Sequence, residues 1–251
     1  MPPVDPHIWR VNRLSGVLVV ASVVVVVIAV NHDPTKSEDQ LRGNASVEAG
    51  GLALDSVRAL RERKRATIGQ GDTYLPHAVR EDSMLRRWAD RGDRPIAVYF
   101  PWAVATPGYD EGFKRAVVQA FERWERVREV PVRFAFVRDS VEAEVLVDWL
   151  ERLDGNRTGQ ANVQWDLHGW IRAGALTLAT QSEQRAALST DAVYTVALHE
   201  IGHLLGLGHS DDSSDLMYPT PGVHDMTRRD LRTAALLYSL DPGSLRDPIA
   251  Q

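Results

Sequence analysis

The residues best able to do chemistry lie in one run from His199 to His209, which reads His-Glu-Ile-Gly-His-Leu-Leu-Gly-Leu-Gly-His. On a helix, two histidines four positions apart fall about 40° apart around the axis, so His199 and His203 can face one ion about 2.0–2.1 Å from each ring nitrogen. Glu200 sits one residue further round. There its carboxylate can take a proton from water beside the ion without ligating the ion itself. Gly206 permits a sharp left-handed exit from the helix, and the Gly208-His209 step can return a third imidazole to the same point. Three protein ligands on zinc leave a fourth position open to water, the pattern of a catalytic rather than a structural site. Taken alone, His199 and His203 could be two ordinary helix histidines; the glycine and the third histidine make the metal reading specific.

Several elements must position this run. Thr190 is the expected cap of a helix carrying Val193, Val196, Ala197, Leu198, Ile201, Leu204 and Leu205, with Gly206 ending it. Upstream, Ile96–Phe100 reads as a short strand ended by Pro101. The stripe Phe113, Val117, Phe121, Trp124 and Val127 reads as a helix. Val132–Val137, Val141–Leu150 and Ile171–Leu178 read as further strands, with Gly155 and Gly159 marking turns. A last helix starts at Thr227, where Asp230 three residues on completes a capping-box pattern, and runs to Leu240. The sum is an α+β domain over residues 94–251: a mixed, twisted sheet with three main helices.

Composition narrows the chemistry. Cysteine is absent, which removes disulfides, thiolate ligands and a cysteine nucleophile, so a metal can sit only on His, Asp or Glu. A net charge of -5 provides no broad basic field, and nucleic acid is not an expected partner.

The N-terminal third differs from the rest. Residues 14–30 are uncharged and valine-rich, at the short end for a transmembrane signal-anchor and slightly long for the apolar part of a signal peptide. A buried valine-rich strand or core helix is the plainer alternative. Arg10 and Arg13 precede the run, while Asp33, Glu38 and Asp39 outweigh Lys36 and Arg42 after it, so residues 1–13 are expected in the cytoplasm. The expected localisation is therefore a membrane-anchored chain with its catalytic domain outside the cytoplasm, or a secreted one if cleavage occurs near Ala29. Residues 31–93 are polar and interrupted by glycines, and read as a linker or pro-region. Within them a weak stripe through Val47, Leu54, Val57 and Leu60 suggests one amphipathic helix. The basic cluster Arg61, Arg63, Lys64 and Arg65 after it reads as a solvated face, with a processing site or a lipid-headgroup contact as alternatives.

With these residues in view, a family resemblance becomes specific. The histidine and glutamate run, followed eight residues later by Met217 in Asp215-Leu216-Met217-Tyr218-Pro219, resembles the metzincin signature with its Met-turn. Ser210 directly after the third histidine and the Leu-Met-Tyr-Pro string resemble the matrixin branch, the matrix metalloproteinases and their bacterial relatives. The likeness spans roughly residues 94–240. It implies a zincin-like catalytic domain, one catalytic Zn2+ on His199, His203 and His209, Glu200 as general base, and hydrolysis of peptide bonds in proteins. Met217 is expected to pack beneath the site rather than bind metal. The resemblance also implies that substrate lies along a sheet edge at Gly159–Trp165, touching Gly159, Gln160 and Ala161. A side-chain pocket is implied between Val196–His199 and the wall from Tyr218 and Pro219 to Val223.

Departures from the family remove some implications. Without cysteine there is no thiol switch for latency. The loop Glu151–Thr158 lacks the ligand set for a second zinc, so none is expected. Asp154, Asn156 and Asp166 could offer oxygen ligands to Ca2+, although Asp-Gly-Asn is more often a turn. Arg229 stands where many matrixins have the first of two acids, leaving Asp230 alone. His168 and His224 are expected at the surface or behind the site, and His7, His32 and His77 outside the domain. The expected partners are a protein or peptide substrate and a membrane, with the chain itself a monomer. The alternative function is a membrane-tethered, zinc-containing binding or regulatory module that does not cleave; the intact Glu200 argues against it.

Overall fold

Alternation in Val145–Leu150 illustrates how the sheet is specified. Val145, Val147 and Trp149 are buried while Asp148 and Leu150 face solvent, a period of two that gives one strand face to the core. The computed structural model describes residues 54–246 apart from Trp102 and Asn156, so the apolar run 14–30 and Val47 lie outside the described residues. Among the described residues no helix is long and apolar enough to cross a membrane.

Two helices come first, α1 over 54–68 and α2 over Leu75–Asp82. They lead through β1 (Met84–Leu85) to β2 (Ile96–Tyr99), α3 (Glu111–Glu125), β3 (Phe134–Val137) and β4 (Val145–Leu150). Next are β5 (Gly159–Trp165), β6 (Ile171–Ala179), α4 (Thr190–Leu204), α5 (Arg228–Ser239) and β7 (Gly243–Ser244). The main sheet has the order β3-β2-β4-β6-β5. Its first four strands pair in parallel, and β5 closes the edge antiparallel to β6. The expected mixed α+β architecture is therefore present. Residues 140–142 form a 3₁₀ turn before β4, because Asp139 accepts from the Val141 N–H and caps a turn instead of extending a strand.

Helices α3 and α4 lie together over the sheet. Phe113, Val117, Phe121 and Trp124 form the buried stripe of α3, and the Trp124 indole donates to the Leu198 carbonyl of α4 at 2.8 Å. That bond lets a large aromatic ring enter the core without stranding its N–H.

The stretch read as linker contributes to the same core. Ile68, Tyr74, Leu75, Leu85 and Trp88 are buried with it, and β1 pairs with β7 near the C-terminus. The physical reason is non-local: the polar composition hid isolated apolar residues that dock one at a time onto α4, α5 and the chain end. Removing any one large apolar side chain from such a site costs about 2–5 kcal/mol. The basic cluster is also partly engaged. Arg61 donates to the Ser244 carbonyl at 3.2 Å and Lys64 to that of Asp241 at 2.9 Å, while Arg65 donates to that of Leu245. Leu54, Val57 and Leu60 stay exposed.

Candidate metal centre and its cleft

Helix α4 is buried along much of its length from Val193 to Leu204, so the core holds it on most faces and leaves one toward the cleft. Its cap is Ser189, not Thr190. The Ser189 hydroxyl accepts the Ala192 N–H at 3.1 Å, while Thr190 already has helical geometry. The other end is clamped by side chains from distant segments: Trp88 donates to the Leu204 carbonyl at 2.8 Å and Tyr238 to that of Leu205 at 3.1 Å. Both bonds satisfy carbonyls that a helix C-terminus otherwise leaves open. Gly206 follows at φ +99° against the Arg86 carbonyl, where no side chain fits, and the chain reverses toward His209.

The three imidazoles converge. His203 Nε2 lies 3.1 Å from His199 Nε2 and 3.2 Å from His209 Nε2. A tetrahedral ion about 2.0–2.1 Å from each nitrogen would set neighbouring ligands about 3.3–3.4 Å apart, so the spacing matches. The tautomers agree. His199 Nδ1 sits 2.7 Å from the Leu216 carbonyl and His203 Nδ1 2.8 Å from the Leu207 carbonyl. Carbonyls only accept, so both Nδ1 atoms carry the proton and both Nε2 atoms present lone pairs. Two lone pairs facing each other at this distance repel unless a cation lies between them. Burial, the main cause, lowers the His199 imidazole to about 4 and that of His203 to about 3, which keeps these rings neutral and able to ligate.

Glu200 is buried beside the triad, and burial pushes its carboxyl up to about 7, against the opposing pull of the Ala161 N–H and Arg157. A carboxyl near neutrality can both accept and return a proton. Gly159 of β5 touches it: a β-carbon there would lie 2.5 Å from Val196 Cγ1 and 2.7 Å from Glu200 Cγ.

A cleft of about 530 Å³ opens over the triad and Glu200. Of the expected substrate contacts, Gly159, Gln160, Ala161, Val196 and Pro219 line it. Tyr218 does not; it borders a shallow depression with Asp211 and Arg229. Met217 beside it is fully buried. Met217 Sδ packs on α4 so closely that a β-carbon at Gly202 would lie 2.5 Å from it, the packing task expected for it.

Asp230, fully buried, holds the turn from α5. It accepts the N–H groups of Leu216 at 3.0 Å and Met217 at 3.3 Å, together with the Tyr74 hydroxyl at 3.1 Å. The same Leu216 orients His199 through its carbonyl, so Asp230 acts on the triad through one peptide unit. Arg229 pairs with Asp215 at 2.6 Å and Asp211 at 2.7 Å.

Thr220 and Pro221 of the expected wall line the cleft; sequence reasoning missed Arg157 and Thr158 there, and the carbonyls of Leu207 and Leu216 that orient the rings. Leu207 stands inside the motif and could have been suspected; Arg157 has no local signal. Among the described residues, Asp154 and Asp166 join no metal-ligand group. Asp166 pairs instead with Arg172 at 2.7 Å, and Asn156 lies outside the described residues. His168 is exposed, and exposed His224 meets Thr195 of α4 through Nδ1 at 3.3 Å.

Comparison with characterised proteins agrees with this geometry. Metalloendoproteinase 1 of Glycine max is 28% identical over 54% of this chain and 48% of its own length. Metalloendoproteinase 1-MMP of Arabidopsis thaliana is 30% identical over 56% of this chain and 42% of its own. Stromelysin-3 of Xenopus laevis is 28% identical over 53% of this chain and 28% of its own. The chain thus spans less than half the length of these relatives. The Matrixin family matches residues 107–238, just over half the chain. With the matched segment carrying the histidine triad, the glutamate and the methionine turn together, the chain belongs to the matrixin family.

Proposed function

We propose that this chain is a zinc-dependent endopeptidase. The observation that carries the reading is the set of ring nitrogens of His199, His203 and His209 converging beside the buried carboxyl of Glu200. His199, His203 and His209 would hold the ion. When bound, zinc supplies Lewis acidity, lowering the pKa of a water at its open position toward about 7 and polarising a peptide carbonyl. Glu200 would take a proton from the attacking water as the water oxygen bonds to the carbonyl carbon and the C=O π bond opens. The same carboxyl then gives the proton to the departing nitrogen as the C–N bond breaks. Water is consumed, a carboxylic acid and an amine result and pass at neutral pH to carboxylate and ammonium, and no covalent enzyme intermediate is needed.

The substrate is a protein or peptide segment in extended form, added along the outer edge of β5. A side chain flanking the cleaved bond fills the cleft between Val196 and the Pro219–Pro221 wall. Zinc content and cleavage of unfolded casein, with and without a chelator, test the reading. Glu200→Gln should keep the metal and lose at least about a hundredfold in turnover; a fully active variant, or a folded chain that takes up no zinc, overturns it.

The charge asymmetry around residues 14–30 supports a catalytic domain outside the cytoplasm, held by an anchor or released near Ala29. Mass spectrometry of the mature N-terminus tests the anchor, and a chain beginning at Val30 would exclude it.

A further inference from the structure

A second cavity, of about 300 Å³, lies beside the metal cleft. The two share Ala161 and His203, so they are successive stations along one groove. The first borders β5 at Gly159–Ala161, the second at Ala161 and Val163. A strand laid along β5 turns alternate side chains to the same face, and one that fills the first station carries another toward the second.

The far wall of the second cavity comes from α2 and β1: Ala78, Val79 and Met84 face Leu207 and Val163 across it. This wall precedes the matched family segment, which begins at residue 107. The two charged groups at the cavity offset each other: Arg86 bonds to Asp82 through one terminal nitrogen, its guanidinium stacks 3.8 Å above the Trp165 ring, and its buried Nε keeps no partner. What remains for a guest is mainly apolar surface, with the opposite charges of Asp82 and Arg86 balancing each other beside it.

We propose that this cavity is a specificity subsite. It takes a Leu-, Met- or Phe-sized side chain of the substrate, on the other side of the cleaved bond from the residue against Pro219–Pro221. The proposal rests on the peptidase reading. It makes the segment before the family match a part of substrate recognition, because α2 supplies the wall that closes the groove.

The test is cleavage of a randomised peptide mixture by the full, zinc-loaded chain, with every product sequenced. The unsubstituted chain should enrich large apolar residues at one position on the stated side. Val79→Trp fills the cavity and should shift that position toward Gly and Ala by about tenfold, leaving the preference on the Pro219 side unchanged. Met84→Ala enlarges the cavity and should shift the same position toward Trp. Zinc content and melting temperature, measured on each variant, verify folding. A profile that neither variant alters at that position overturns the subsite. So does a general rise in cleavage by Val79→Trp with the profile at that position unchanged. Absence of any cleavage by the unsubstituted chain removes the peptidase reading and the subsite together; cleavage with a flat profile removes the subsite alone.

Discussion

Gly159 and Glu200 are in contact at a distance that admits no side chain: a β-carbon on Gly159 would lie 2.8 Å from Glu200 Oε1. Strand β5 can therefore approach α4 only because residue 159 is glycine, and that approach brings the Ala161 N–H to the Glu200 carboxylate. Gly159→Ala should displace the carboxylate by a few tenths of an ångström or more. Since small misplacements of a reacting group can cost about a hundredfold, we expect kcat/KM to fall by about ten- to a hundredfold at unchanged zinc content. Steady-state kinetics with metal analysis check this, and a variant as active as the parent would show that the contact has no bearing on the base.

The methionine turn makes a similar demand on α4. Gly202→Ala drives a methyl group into Met217 Sδ and against Trp124, and overpacking of this kind costs about 1–3 kcal/mol. Met217→Leu nearly conserves volume and should cost less than about 1.5 kcal/mol with zinc retained. Denaturant melts of the two variants decide the matter: equal stability would mean that the turn yields easily, and loss of zinc from Met217→Leu would give sulfur a role beyond packing.

Trp88 ties the early segment to the metal helix. Trp88→Phe leaves the Leu204 carbonyl without its indole donor, which should cost about 1–3 kcal/mol. A chain starting at residue 94 lacks Tyr74, Leu75, Leu85 and Trp88 altogether, and should lose its cooperative thermal transition. If that shortened chain melts like the parent, the segment is a detachable pro-region after all.

Arg229 donates to Asp211, and this bond, the largest influence, holds the Asp211 carboxyl below its ordinary value. Because the folded pKa is the lower one, the contribution is present above the unfolded pKa and is lost as pH falls through the folded value. Exposure and salt keep it small. Arg229→Gln should raise the Asp211 pKa, read by carbon NMR of the labelled carboxyl; an unmoved titration would remove Arg229 as the cause.

Local chemistry was fully legible where it depends on neighbours in sequence. The capping box of Thr227 and Asp230 forms with both bonds present, because its partners are three residues apart. The cap of α4 was misjudged by one position, since Ser189 and Thr190 offer the same hydroxyl and only backbone geometry separates them. The family resemblance implied Tyr218 on the cleft wall, whereas in the structure it borders the depression with Asp211 and Arg229.

By itself the sequence determined the metal chemistry: a helix repeat aligns His199 with His203, Glu200 follows from adjacency, and Gly206 allows the return to His209. Tertiary structure alone decided which carbonyls orient the rings, which strand presses on the carboxylate, and that a stretch of polar composition buries Ile68, Tyr74, Leu75, Leu85 and Trp88 in the common core. Those relationships join residues far apart in the chain. They arise from packing of surfaces that no local period encodes.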